Sequence, residues 1–137
     1  GDHRDLHLSI RRQRQMCIRD SIGADAIMIS NHGGRQLDGS RSPFDQVSEI
    51  SDAVGDKIDV ILDGGIRRGT HVLKAIAAGA KACSGGRMYL YSLAAAGQPG
   101  VEKALGNLKA EIQRDMKLLG VTSISQIDRN MLRYRTR

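Results

Sequence analysis

Three times in this chain, a short apolar run is followed by a glycine-containing loop and an amphipathic helix. The apolar runs cover residues 26–30, 60–62 and 82–84. Short apolar runs of this kind are typical of strands that are buried in a parallel sheet. Because strands that alternate with helices pair side by side in the same direction, the repeat predicts an α/β fold with a parallel sheet.

The helices of this repeat can be placed by their ends and by their apolar faces. Ser42 and Pro43 predict the start of the first helix, with Ser42 as the N-cap and Pro43 at the first helical position. Val47, Ile50 and Val54 are spaced three or four residues apart, so they lie on one face of that helix. Further helices are predicted over residues 70–78, 89–96, 100–119 and 125–132.

Three strand–helix units are fewer than a closed barrel requires. A (β/α)8 barrel contains eight such units in roughly 250 residues, whereas this chain has 137 residues. A free-standing three-stranded domain is the alternative, but nothing in the sequence is predicted to cover the edges of its sheet. We therefore expect an incomplete barrel.

Residues 1–21 differ from everything that follows them. They are rich in Arg and Gln and lack helical or strand periodicity, and residues 12–21 resemble a translated sequencing adapter. We expect a non-native or disordered segment over residues 1–21 and one folded unit over residues 22–137.

Composition argues against several classes of function. The chain has 21 Lys and Arg against 15 Asp and Glu, a net charge of +6, but it has no continuous basic stripe and only 3% aromatic residues. Nucleic-acid binding, which favours both features, is not expected, although a basic tail runs from Arg129 to Arg137. The two cysteines lack metal-ligand spacing, and no apolar run reaches the ~20 residues of a membrane span. We expect a reduced, cytoplasmic protein without a metal site.

Each predicted strand ends in a segment that combines glycine with charged residues. These segments are SNHGGRQLD at 30–38, DGGIRRG at 63–69 and GGR at 85–87. In parallel α/β folds the carboxyl ends of the strands share one edge of the sheet, and ligands bind there. The chemistry of the chain is therefore expected at this edge.

Together these motifs resemble the FMN-dependent α-hydroxy-acid dehydrogenases, a family that includes quinone-linked L-lactate dehydrogenase and glycolate oxidase. The resemblance runs from Gly23 to about Arg133 and extends through DGGIRRGTHVLKAIAAGA and GGRMYLY. It implies the C-terminal part of a (β/α)8 TIM barrel, with about strands 6–8 and the following helices. It also implies FMN as cofactor and oxidation of a small L-2-hydroxy acid, such as L-lactate or glycolate, to the 2-oxo acid.

The resemblance also bears on partners and on self-sufficiency. It implies a quinone, oxygen or a cytochrome as electron acceptor, a homotetramer for the full-length protein, and peripheral association with the inner membrane for some members. The flavin-ring contacts of the family lie upstream of the matching region. We therefore expect this chain alone neither to bind FMN tightly nor to oxidise lactate.

The first motif supplies a candidate base and a candidate carboxylate ligand. Oxidation of a 2-hydroxy acid requires removal of a proton, and histidine is the usual base near neutral pH. His32 is the candidate, and the resemblance implies the same role. Arg35 follows three residues later. A guanidinium group binds carboxylates in a bidentate manner, and the resemblance assigns Arg35 to the substrate carboxylate.

The second and third motifs suit a phosphate group. Glycine-rich turns at helix N-termini offer backbone N–H groups to an anion, and barrel phosphate sites are often built after strands 7 and 8. The resemblance places Asp63 against the ribityl chain of FMN. Another FMN- or phosphate-binding TIM-barrel enzyme, such as an FMN-dependent isomerase, would explain these motifs but not the pairing of His32 with Arg35. The residues expected around the FMN phosphate are Gly64, Gly65, Arg67, Gly86 and Arg87.

Four further residues are expected to have structural roles only. His71 lies in the first turn of a predicted helix, where a surface position is expected. Cys83 is predicted to be a small core residue. Tyr89 and Tyr91 are predicted to pack within a helix face.

Overall fold

The computed structural model of the chain describes residues 23–134, in which the strands form one parallel sheet with the order β1-β2-β3. The predicted α/β fold with a parallel sheet is confirmed in this part of the chain. The segment 1–21, predicted to be non-native or disordered, lies outside the described residues. The three strands are β1 (Ala26–Ile29), β2 (Asp59–Asp63) and β3 (Ala82–Ser84).

Helix α1 (Phe44–Val54) covers one face of this sheet, and the three apolar residues predicted to face the core are all buried. The predicted N-cap is wrong, because Pro43 rather than Ser42 occupies that position. Pro43 already has helical torsion angles, φ −55° and ψ −39°. Its carbonyl group accepts the N–H of Gln46 at 3.1 Å, so the first turn closes on the proline itself.

The other two helices are α2 (Gly69–Ala77) and α3 (Gly86–Leu119). The sequence predicts two helices where the structure has α3, and a kink accounts for the difference. Ala96 and Gly97 leave the helical region, with φ of −152° and 60°, and Pro99 follows them. A proline and a glycine of positive φ both interrupt helical geometry, so the predicted break between the two helices is confirmed as a kink within α3.

Two acidic side chains of α3 fix the beginning of α2. Glu111 Oε2 accepts the backbone N–H of Gly69 at 2.8 Å, and Asp115 accepts the hydroxyl of Thr70 at 2.5 Å. The hydrogen bond from Thr70 lowers the pKa of Asp115. Carboxylates favour the positive end of a helix dipole, so these contacts stabilise α2 directly after the glycine-rich segment that precedes it.

The helix predicted over residues 125–132 is wrong. The structure has two single-turn 3-10 helices there, Ile124–Gln126 and Arg129–Met131. The side chains of Ser123 and Asp128 each accept a backbone N–H and start a new turn. Two caps so close together favour two short turns over one continuous helix.

The two faces of the sheet differ in burial. Ile29, Leu62 and Cys83 are aligned across the three strands and belong to, or pack against, the core beneath α1 and α2. Side chains of neighbouring residues in a strand point to opposite faces. The opposite face therefore carries Met28, which is 57% exposed, and Ala82, which is also exposed. Within residues 23–134, helices cover one face of the sheet and leave the other open.

Candidate active site

A cavity of about 900 Å³ lies at the carboxyl ends of the strands. Seven of the eight residues predicted from the sequence to form the site line this cavity. Asp63, the last residue of β2, is the exception. The three motifs therefore meet in one place, as the parallel sheet requires. The predicted residues in the wall are His32, Arg35, Gly64, Gly65, Arg67, Gly86 and Arg87.

The loop after β1 carries His32 in an uncommon backbone conformation. His32, Gly33 and Gly34 all have positive φ, at 52°, 72° and 78°. Asn31 holds this turn: its side-chain oxygen accepts the N–H of Gly33 at 3.0 Å, and its carbonyl accepts the N–H of Gly34 at 2.9 Å. A side chain other than glycine seldom adopts positive φ, and such positions concentrate at functional sites.

Ser30 connects the His32 loop to the end of β2. Its Oγ accepts the backbone N–H of His32 at 3.0 Å and donates to Asp63 Oδ2 at 2.6 Å. Asp63 therefore holds the loop of the candidate base through Ser30 without lining the cavity, and its predicted contact with the ribityl chain stays a prediction. Sequence reasoning missed Ser30 and Asn31, although a serine two residues before a turn residue is a known loop-forming signal.

The charge of the cavity is one-sided. Arg35, Arg67 and Arg87 all line it, and no carboxylate is among its lining residues within the described part of the chain. One of the arginines also contacts the first loop, since Arg87 Nη2 donates to the carbonyl oxygen of Gly33 at 3.3 Å. Guanidinium groups bind carboxylates and phosphates in a bidentate manner, so this wall suits anionic ligands.

Glycine turns and a helix N-terminus complete the anion-binding wall. Gly64 and Gly65 have positive φ, at 112° and 76°. Gly86 begins α3, and a Cβ atom placed there would meet no atom within 4 Å. Backbone N–H groups at such a helix start attract anions. His71, which was expected only at the surface, accepts the backbone N–H of Arg67 at Nδ1, 3.2 Å away, and so holds this wall.

The rest of the cavity wall is apolar. Leu90 and Tyr91 line it from the first turns of α3 and are 48% and 69% exposed. The prediction that Tyr91 packs within a helix face is wrong, because this much of the side chain remains open. An apolar wall beside a cationic one suits a ligand with both an anionic and a planar or aliphatic part.

The remaining features of the described residues concern metal ligands, membrane-spanning helices and the thiol of Cys83. From 23 to 134, no group of three or more His, Cys, Asp or Glu is arranged to hold a metal ion. None of the helices in that range is both long and apolar enough to cross a membrane. Cys83 packs against the core, and its burial raises the pKa of the thiol to about 11.

Comparison with known proteins gives one consistent result. The family model described as FMN-dependent dehydrogenase matches residues 13–134 of this chain. The match begins at residue 13, inside the segment 1–21 that was predicted to be non-native or disordered.

Curated relatives are similar over most of this chain. L-lactate dehydrogenase of Caulobacter sp. (strain K31) is 48% identical over 111 residues, covering 81% of this chain and 29% of the relative. L-lactate dehydrogenase (cytochrome) of Saccharomyces cerevisiae is 43% identical over 128 residues, covering 90% and 22%. The chain thus spans less than a third of the length of these relatives.

Solved structures agree with the sequence comparison. The flavin-binding domain of baker's yeast flavocytochrome b2 superimposes with a TM-score of 0.81 at 43% identity, covering 86% of this chain and 31% of that one. A soluble mutant of (S)-mandelate dehydrogenase from Pseudomonas putida gives 0.76 at 40% identity, covering 81% and 31%. The three motifs meet in one cavity, and sequence and fold both match this group, so the chain belongs to the FMN-dependent dehydrogenase family.

Proposed function

We propose that this chain is the C-terminal portion, about strands 6–8, of a (β/α)8 barrel that oxidises a small L-2-hydroxy acid to the 2-oxo acid with FMN. One observation carries the proposal: a histidine, a carboxylate-binding arginine and a glycine–arginine anion wall line the same cavity. The open face of the sheet, with Met28 57% exposed, supports the barrel, because parallel sheets are ordinarily covered on both faces.

The residues present fit the phosphate of FMN. Arg67 and Arg87 supply positive charge, while Gly65 and Gly86 leave open space where other residues carry a Cβ atom. Gly64 provides the tight turn that brings the backbone to the cavity. When bound, FMN would accept the two electrons and one of the two protons that the substrate loses. The other functions would fall to residues of the protein.

The substrate would be held and deprotonated by the first motif. The guanidinium of Arg35 binds the substrate carboxylate through two hydrogen bonds, which fixes both its position and its orientation. The imidazole of His32 then takes one proton from the substrate. Asn31, Ser30 and Asp63 hold the backbone of the loop, so the base is oriented before the substrate arrives.

Relatives that differ in their electron acceptor are similar to this chain over the same region. A cytochrome-linked L-lactate dehydrogenase from yeast and an L-lactate oxidase from Nostoc sp. are both similar to this chain, at 43% and 48% identity. We propose a quinone, oxygen or a cytochrome as acceptor. The small 2-hydroxy acid is proposed as substrate because both of these relatives are named for L-lactate.

A chimeric enzyme tests these roles. Residues 23–134 would replace the matching part of the Caulobacter L-lactate dehydrogenase, 29% of that protein. We expect flavin binding and L-lactate-dependent reduction of a dye. His32→Gln should lower kcat by at least about a hundredfold with flavin retained, since general bases contribute roughly 10²–10⁴-fold.

The carboxylate role of Arg35 has its own matched control. Arg35→Lys should raise KM for L-lactate about tenfold or more, because an ammonium group cannot bind a carboxylate in the same bidentate manner. Arg41→Lys should leave KM unchanged, since Arg41 pairs with Glu49 at 2.9 Å outside the cavity. An unchanged KM for L-lactate in Arg35→Lys would show that Arg35 does not bind the substrate carboxylate and would contradict its proposed role.

A further inference from the structure

We propose that Arg87 is a positioning residue for the His32 loop, so that an anion bound at the glycine–arginine wall changes the conformation of the loop that carries the base. The inference rests on the proposed function and adds a second task for an arginine that was expected only to bind phosphate. Coupling of this kind would make the base ready only when the anion site is filled.

The contact joins the ends of two strands that are not neighbours. Arg87 follows β3, and Gly33 follows β1, with β2 lying between them in the sheet. The Nη2 group of Arg87 nevertheless reaches across and donates to the carbonyl oxygen of Gly33 at 3.3 Å. His32 directly precedes Gly33 in the same turn, and both residues have positive φ. A movement of the Gly33 peptide group therefore changes the backbone orientation of His32.

The guanidinium group of Arg87 occupies the position where a side chain on Gly33 would lie. A Cβ atom placed on Gly33 would lie 2.6 Å from Arg87 Nη2 and 3.2 Å from the guanidinium carbon. Gly34 has nearly the same φ, 78° against 72°, but a Cβ atom there would meet nothing within 4 Å. The two glycines therefore share a backbone requirement, and only at Gly33 would an added Cβ atom displace the guanidinium group of Arg87.

The guanidinium group has enough donors for both tasks. It carries five N–H groups in a fixed plane, and one of them is directed to Gly33. An anion that binds the remaining groups must orient the whole plane, because the donors cannot move independently. The carbonyl of Gly33 then follows Arg87, and the backbone of His32 follows Gly33.

Inorganic phosphate, added to the full 137-residue chain, provides a test by two-dimensional NMR. In the wild type, we expect the amide signals of Gly86 and His32 to shift with the same apparent Kd. In Gly33→Ala, the Gly86 signal should still respond, with Kd changed less than threefold, while the His32 shift should fall to less than half. Gly34→Ala should behave like the wild type.

Arg87→Lys is the second variant, and it carries the test if Gly33→Ala does not fold. It keeps the positive charge, so Gly86 should still respond to phosphate, but the His32 shift should be lost. A His32 shift that persists in Arg87→Lys or Gly33→Ala would mean that phosphate acts on His32 directly, and would overturn the coupling. Equal loss in Gly33→Ala and Gly34→Ala would attribute the effect to backbone strain and would overturn it too.

The same titration separates this inference from the proposed function. If Gly86 responds in the wild type and His32 does not, the anion site stands and the coupling is wrong. If neither signal responds, the anion site of the proposed function and the coupling both fail.

Discussion

At the scale of single residues, His71 shows how a side chain outside the cavity can hold part of its wall. Its Nδ1 accepts the backbone N–H of Arg67 at 3.2 Å. We expect His71→Leu to weaken inorganic phosphate binding about two- to tenfold, because a net hydrogen bond is worth roughly 0.5–1.5 kcal/mol. His71→Asn retains an acceptor oxygen and should stay near the wild-type value. Phosphate titrations of the three proteins measure this, and equal affinities would show that Arg67 is held without His71.

The thiol of Cys83 gives a prediction about pH. Burial raises its pKa to about 11, so the reactive thiolate forms only as the pH approaches that value. Because a free cysteine has a pKa of about 8.5, alkylation of Cys83 by iodoacetamide at pH 8 should be roughly two hundredfold slower in the native chain than in urea. The native rate should keep rising between pH 9 and 11. Peptide-level mass spectrometry follows Cys83 separately, and comparable rates in the two states would contradict its burial.

The residues of the site divide into those that sequence can place and those that it cannot. His32 and Arg35 could be placed at the site because they follow a recognisable strand, and both line the cavity. The contacts of Ser30 and Asn31 with this loop depend on torsion angles, which residue types alone do not fix. Arg87 was predicted as an anion ligand. Its hydrogen bond to Gly33 could be recognised only from the structure, because it depends on how close two strand ends lie to each other.

At the scale of elements, the junction between α2 and α3 sets the position of the glycine-rich wall. Gly69 lies so close to α3 that a Cβ atom there would be 2.5 Å from the backbone nitrogen of Ile112. We expect Gly69→Ala to lower the free energy of unfolding by about 1–3 kcal/mol, the usual cost of overpacking.

Gly106→Ala is the matched control for this prediction. Gly106 lies within α3, and a Cβ atom there would meet nothing within 4 Å. Its substitution should raise the free energy of unfolding by about 0.5–1 kcal/mol through helix propensity. Urea unfolding of both variants gives the comparison, and opposite signs are expected. A destabilised Gly106→Ala would mean that the α3 backbone is sensitive to substitution in general.

Elements were predictable where one strong periodic signal determined them. The strands and the buried face of α1 follow from apolar spacing, which tertiary packing reinforces. The end of the chain was not predictable in this way, because Ser123 and Asp128 each start a new turn and compete with a continuous helix. Small energy differences decide whether such local hydrogen bonds form instead of a continuous helix. The spacing of apolar residues gives no information about these differences.

At the scale of the whole molecule, the open face of the sheet is the basis for expecting that the chain cannot bind its cofactor alone. The chain spans 29% of its Caulobacter relative and 22% of its yeast relative. Three strand ends supply the proposed base, the carboxylate ligand and the anion wall. Functional residues of such barrels come from the ends of several strands, so in the proposed barrel the walls that enclose the flavin ring would come from strands other than these three.

We therefore expect the isolated chain to lose FMN during desalting and to show no L-lactate oxidation, whereas the chimera with the Caulobacter enzyme retains flavin. The isolated chain should bind FMN at least about a hundredfold more weakly than the chimera does, a difference of ~2.7 kcal/mol, because it holds only the phosphate end of the ligand. Flavin absorbance of the desalted proteins and fluorescence titration with FMN provide the measurement. Free inorganic phosphate should compete with FMN for the isolated chain, since both would use the same wall. An isolated chain that purifies with one flavin per molecule would show that these three strands suffice for the cofactor, and that the remaining strands serve substrate and acceptor alone.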